Sequence, residues 1–228
     1  MRLNKKILRI IKSLYTTLYH STFIRWLVRK PINTWILPNL SNPQQEIKDA
    51  FIWNDEKIHK KNAYSSISHE YEKLFINYVL SATIKEDHIL DICCNEGRWL
   101  KALRRNGYKN LSGFDIMKPA IEKFMLSEEY LSGGIEVEHA LAQDYLSRSQ
   151  ENSYDYAITW GATIELIHPS FLLFEVLNKI TRKGFIFIIN ENKHTYPRFY
   201  RHIIRSSGFT PKKILCLSPD FTLLHYEK

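Results

Sequence analysis

A chain of 228 residues with 44% hydrophobic composition can bury one good core, and two large domains would each be left with too little apolar surface. Its formal charge of +8 is concentrated. Eight of the 32 Lys and Arg precede Glu46, a stretch with no Asp or Glu, which leaves 24 residues of each sign in the rest. A polyanion-binding field over the whole protein is therefore not indicated, and Cys93, Cys94 and Cys216 offer neither an even disulfide framework nor a CxxC metal spacing.

In chain order, Leu3, Ile7, Ile10, Leu14 and Leu18 recur every three or four residues with Lys5, Lys6, Arg9 and Lys12 on the remaining arc, the pattern of a basic amphipathic helix. A second apolar stretch around Trp26 is flanked by Arg25, Arg29 and Lys30 and stops at Pro31. Pro38 and Pro43 extend an irregular connector, so residues 1–45 read as an arm and 46–228 as one domain. Such an arm suits an anionic membrane interface, a partner, or packing on its own domain, and its lack of acids also fits a mitochondrial presequence. No uncharged apolar run reaches the roughly 20 residues of a membrane span, and no secretory signal is visible. The expectation is a cytoplasmic protein, peripheral on a membrane if the arm binds one.

A short helix is expected from Gln44 to Trp53, then a stronger one carrying Tyr71, Leu74, Phe75, Tyr78 and Val79. Strands follow at His88–Asp91, Leu111–Asp115, Ile135–Ala140, Tyr154–Trp160 and Gly184–Asn190. Helices are expected at Gly97–Asn106, Pro119–Tyr130, Pro169–Ile180 and Pro197–Ser207. This alternation predicts an α/β doubly wound sheet, parallel with helices on both faces. Lys213–Leu217 and Phe221–Tyr226, separated by three residues, predict a closing hairpin and one antiparallel strand.

The run Ile89-Leu90-Asp91-Ile92-Cys93-Cys94-Asn95-Glu96-Gly97-Arg98-Trp99-Leu100 is an apolar strand ending in an acid, a loop of small residues, and a helix start. It resembles the first motif of class I S-adenosylmethionine-dependent methyltransferases, whose loop lets the backbone approach the cofactor at the carboxyl end of the first strand. The family usually has glycine at the positions of Cys93 and Asn95, and only Gly97 remains. The resemblance continues in order over residues 60–228. It implies a Rossmann-like, class I methyltransferase fold, S-adenosylmethionine as cofactor, and a ribose-binding acid at Asp115 with Ile116 beside it. It further implies adenine contacts from Gln143, Asp144 and Tyr145, a pocket floor at Trp160-Gly161, and a glycine turn at Lys183-Gly184-Phe185 before the fifth strand. A dinucleotide-binding oxidoreductase is the structural rival, but its phosphate loop needs closely spaced glycines where Cys93 and Asn95 stand.

Each of these residues also has an ordinary reading. Asp91 can cap the following helix, Asp115 and Asp144 can be solvated acids, and Trp160 can be a core aromatic. Cys93 and Cys94 read as small packing residues, since no activating base lies nearby in sequence. Glu165 and His168, after the fourth strand, are the candidate catalytic pair, with His suited to act as a base near neutral pH; surface or structural roles compete. Arg198, Arg201 and Arg205 fall on one side of a helix, as a solvated face or a cationic rim for an anionic acceptor.

The expected activity is methyl transfer to a small-molecule, glycan or lipid-linked acceptor, at oxygen. RNA methylation and a non-catalytic scaffold are the alternatives. DNA amino-methylation is disfavoured, because Trp160-Gly161-Ala162-Thr163 stands where those families carry Asp or Asn, two prolines and an aromatic.

Overall fold

The computed structural model describes residues 69–160, 164, 166–167, 171–190, 200–218 and 221–228. The arm and connector, the expected helix at Gln44–Trp53, Gly161, Glu165, His168 and Arg198 lie outside them.

The elements run α1 (His69–Ala82), β1 (Ile89–Ile92), α2 (Arg98–Arg105), β2 (Leu111–Asp115), α3 (Lys118–Met125), α4 (Glu128–Leu131), β3 (Ile135–His139), α5 (Ala142–Arg148), β4 (Tyr154–Trp160), α6 (Leu173–Ile180), β5 (Thr181–Asn190), α7 (Tyr200–Ser206), β6 (Thr210–Cys216) and β7 (Phe221–Glu227). They form a seven-stranded sheet in the order β3-β2-β1-β4-β5-β7-β6. The first five strands are parallel; β7 runs antiparallel to both β5 and β6. This is the Rossmann-like doubly wound class expected from the alternation.

β1 and β4 are buried along their whole length, as strands covered by helices on both faces must be. One core joins Leu90, Ile92, Phe114 and Phe185 to Leu146 of α5, Leu177 of α6 and Ile204 of α7. The other joins Ile89, Leu111, Ile158 and Ile186 to Phe75 of α1, Leu100 of α2 and Phe124 of α3. Asp91 and Asp115 alternate with Leu90 and Phe114, so they belong to the α1–α3 face. Gly113 of β2 lies on this face too; a Cβ there would come within 2.8 Å of Leu100 and 3.0 Å of Cys94, so its bareness lets α2 close onto the sheet.

Three expectations are corrected and one helix is added. β5 begins at Thr181, so Lys183-Gly184-Phe185 is strand and not a turn. Gly184 is needed for a different reason: a Cβ would sit 2.0 Å from the Tyr226 carbonyl oxygen of β7. The expected helix Pro119–Tyr130 is two, because Ser127 turns to extended backbone (φ −77°, ψ 149°) and its hydroxyl donates to the Phe124 carbonyl at 2.7 Å. Residues 142–148, read only as a cofactor segment, form helix α5. β6 starts at Thr210, earlier than Lys213, and β7 takes the inner place between β5 and β6. Edge strand β6 carries exposed Pro211, Lys212 and Lys213, residues that oppose further strand addition.

Candidate functional site

The strand order reverses between β1 and β4, and this switch point is where an open α/β sheet leaves a crevice at the carboxyl ends of its strands. Asp91 closes onto it from β1 and Trp160 from β4. Asp115 stands one strand further along, at the end of β2. On the opposite face, the Thr159 hydroxyl donates to the Ile92 carbonyl at 2.9 Å and ties β4 to the last residue of β1.

The loop between β1 and α2 is built on three left-handed residues, Cys93 (φ 55°), Asn95 (φ 50°) and Gly97 (φ 69°). The two positions where the resemblance led one to expect glycine thus keep a glycine-like backbone without glycine. Asparagine adopts this conformation at little cost, and here its Oδ1 accepts from the Glu96 N–H at 2.8 Å while its Nδ2 donates to Met117 Sδ at 3.4 Å. Gly97 has no substitute: a Cβ would lie 2.4 Å from the Phe124 ring.

Asp115 holds this loop. Its Oδ2 accepts from the Asn95 N–H and its Oδ1 from the Met117 N–H, both at 2.8 Å. The carboxylate is 5% exposed and tethers the β1–α2 loop to the β2–α3 turn. Ile116 is half-buried, and its carbonyl oxygen lies 2.9 Å from His139 Nε2.

Asp91 is 1% exposed, and its Oδ2 has no hydrogen-bond partner among the described residues. Burial, reinforced by the Asp115 charge, pushes its carboxyl well above the ordinary carboxylate range. The same two influences push the Cys93 thiol up, and burial with both acids does so for Cys94. Neither thiol is an activated nucleophile.

Trp160 is 7% exposed and stacks on Trp99, centroids 5.5 Å apart at 15°, while Phe75 meets both rings edge-on at 4.9 Å and 5.8 Å. Its indole Nε1 is buried without a hydrogen-bond partner among the described residues. An ion pair between Arg98 and Glu72 fastens α2 to α1 beside this cluster.

Gln143, Asp144 and Tyr145 lie in the first half of α5 and point differently. Gln143 is half-buried and Asp144 exposed, whereas Tyr145 turns inward. Its ring stacks on Phe114 at 4.4 Å, its hydroxyl lies 3.1 Å from that of Tyr154, and burial pushes the phenol up. Met117, Phe124 and Trp99 shape the site and were not singled out from the sequence. Only Trp99, one residue into α2, carried a visible signal. Arg201 and Arg205 are exposed on α7, away from buried Ile204.

A family model described as "Methyltransferase domain" matches residues 61–202. The chain belongs to the methyltransferase-domain family. No curated protein matches it in sequence. Among solved structures, this methyltransferase-family chain is similar to the Burkholderia thailandensis 1,6-didemethyltoxoflavin-N1-methyltransferase, which was solved with 1,6-didemethyltoxoflavin and S-adenosylhomocysteine bound. That match has a TM-score of 0.63 and 12% identity, over 83% of this chain and 91% of that one. It is also similar to a SAM-dependent methyltransferase from Aquifex aeolicus, with TM-score 0.53 and 14% identity over 82% and 98% of the two chains. An S-adenosylmethionine-dependent methyltransferase from Mesorhizobium loti matches with TM-score 0.51 and 14% identity over 67% and 96%. At such identities the likeness establishes the fold, that of the class I methyltransferases. Among the described residues, no helix is long and apolar enough to cross a membrane.

Proposed function

We propose that this protein transfers a methyl group from S-adenosylmethionine to the oxygen of a small-molecule, glycan or lipid-linked acceptor. The observation that supports it most is the left-handed loop Cys93–Gly97, held by Asp115 at the switch point of a methyltransferase-family sheet. The residues present fit the cofactor. Asp115 is an acceptor-only group at the carboxyl end of β2, the kind of group a ribose diol requires. Asp91 has a buried carboxylate oxygen that waits for a donor, suited to an ammonium group. Gln143 and Asp144 supply polar groups where α5 begins and would take the adenine.

When bound, S-adenosylmethionine supplies an electrophilic methyl group that an acceptor atom displaces in line. The chain's own part is mainly to orient the acceptor and exclude water. A hydroxyl acceptor must also lose a proton, and Glu165 or His168, which follow β4, would take it. Arg201 and Arg205, with Arg198, would orient an anionic acceptor, and the basic arm would bring the enzyme to an anionic membrane surface.

Calorimetric titration with S-adenosylmethionine and S-adenosylhomocysteine tests the reading. Micromolar binding is expected, with Asp115→Ala weakening it by about 100-fold through loss of charge-assisted hydrogen bonds. Folded wild-type protein that binds neither would overturn it. Liposome flotation of the full chain against one starting near Gln44 tests the membrane element, and equal behaviour of the two would remove it.

A further inference from the structure

We propose that the indole N–H of Trp160 recognises the carboxylate of the cofactor's amino-acid end, opposite the Asp91 carboxylate that takes its ammonium group. This rests on the S-adenosylmethionine reading of the site.

Two polar atoms flanking the switch point are buried without partners: Asp91 Oδ2, which can only accept when ionised, and Trp160 Nε1, which can only donate. Their residues are 1% and 7% exposed, so neither atom is compensated by bulk water. They sit on the same face of neighbouring strands. Asp91 pairs with Ile158, and Trp160 is two residues further along β4, where β1 has already turned into its loop. An unpaired acceptor and an unpaired donor on one face of neighbouring strands suit a ligand that carries a cationic and an anionic group on one carbon. An α-amino acid head group has that pattern.

The stack with Trp99 holds the indole ring, so the direction of its N–H is set before any ligand arrives. No lysine or arginine is needed for this recognition. A neutral donor also leaves the Asp91 carboxyl free of a competing cation, which keeps that acid available for the ligand's ammonium.

The test compares S-adenosylmethionine with its decarboxylated analogue, which keeps the ammonium, sulfonium and nucleoside and lacks only the carboxylate. Binding of both is measured to the full-length wild type, Trp160→Phe and Phe75→Leu. Trp160→Phe keeps an aromatic ring against Trp99 and removes the donor. It is expected to weaken S-adenosylmethionine by about tenfold or more and leave the analogue unchanged, so that the preference for the carboxylate collapses. Phe75→Leu disturbs the cluster and keeps the N–H, so it is expected to preserve the preference.

Equal weakening of both ligands by Trp160→Phe, or none, would overturn the proposal while leaving the S-adenosylmethionine reading intact. A wild type that binds neither ligand would overturn both. A measurement without substitution reads the same contact. With 15N-labelled tryptophan, the Trp160 indole proton is expected to move downfield on binding S-adenosylmethionine and to stay in place with the analogue. Identical spectra with the two ligands would contradict it.

Discussion

At the amino-terminal end of the parallel strands, buried aspartates are paired. Asp155, 8% exposed, takes both forks of Arg182 at 2.9 Å and 2.7 Å and accepts from the His88 N–H at 2.9 Å, and Asp87, 3% exposed, pairs with Lys183 and accepts from the Ile84 N–H. At the carboxyl end, Asp91 is more deeply buried and one of its oxygens is left open. The carboxyl groups respond in opposite directions. Hydrogen bonding from Arg182 holds Asp155 below the usual range, whereas burial pushes Asp91 well above it. A carboxylate matched with cations and backbone donors is a clamp that the fold uses for itself. One kept open beside a second acid costs stability, and its place in the sheet is explained by a ligand that completes it.

The sharpest test of the carboxyl end is Gly97→Ala, which forces a methyl group into the Phe124 ring on a left-handed backbone. It is expected to cost about 3 kcal/mol in urea unfolding, the sum of backbone strain and overpacking. A loss below 1 kcal/mol would mean that the loop yields easily and does not depend on this contact.

Next in size, Asp155→Asn is expected to lose about 2 kcal/mol at pH 7 without changing cofactor affinity. Because the folded carboxyl of Asp155 is depressed, its contribution is complete above the unfolded value of about 3.9 and fades as the pH falls through the folded one. The wild type and Asp155→Asn should therefore converge in acid. A difference independent of pH would show that shape, and not charge, makes the clamp.

Asp91→Asn should behave in the opposite sense. With the folded carboxyl raised, Asp91's stabilising contribution is present below about pH 4 and is lost as the pH climbs through the folded value. Relative to the wild type, Asp91→Asn is expected to gain about 1 kcal/mol at pH 7, to show no gain in acid, and to bind S-adenosylmethionine more weakly. A variant destabilised at pH 7 would erase the contrast between the two ends.

The smallest expected effect is at the loop itself. Cys93→Gly relieves a left-handed residue, at the expense of added freedom in the unfolded chain, for a net gain of about 0.5 kcal/mol in thermal or urea unfolding. Asn95→Gly should gain nothing, since it also loses the bonds to Glu96 and Met117.

Much of the sheet was legible because strand periodicity is local. Leu111–Asp115 and Tyr154–Trp160 coincide with β2 and β4. The start of β5 was not legible, because Thr181, Arg182 and Lys183 look polar until Asp155 and Asp87 are seen across from them. Nor could the sequence separate Tyr145 from its neighbours Gln143 and Asp144: only packing against Phe114 and Tyr154 turns it inward.

The sequence by itself determined the order of the strands, most of the helices between them, the antiparallel ending, and the acids toward the ends of β1 and β2, since each is written in apolar periodicity and strand-end chemistry. Tertiary structure alone decided which buried aspartates are paired and which is left open, and that Trp160 presents an unpaired N–H beside the switch point. Those outcomes depend on groups brought together from distant parts of the chain, such as Arg182 with Asp155 or Trp99 with Trp160, and no local pattern carries the geometry of such a meeting.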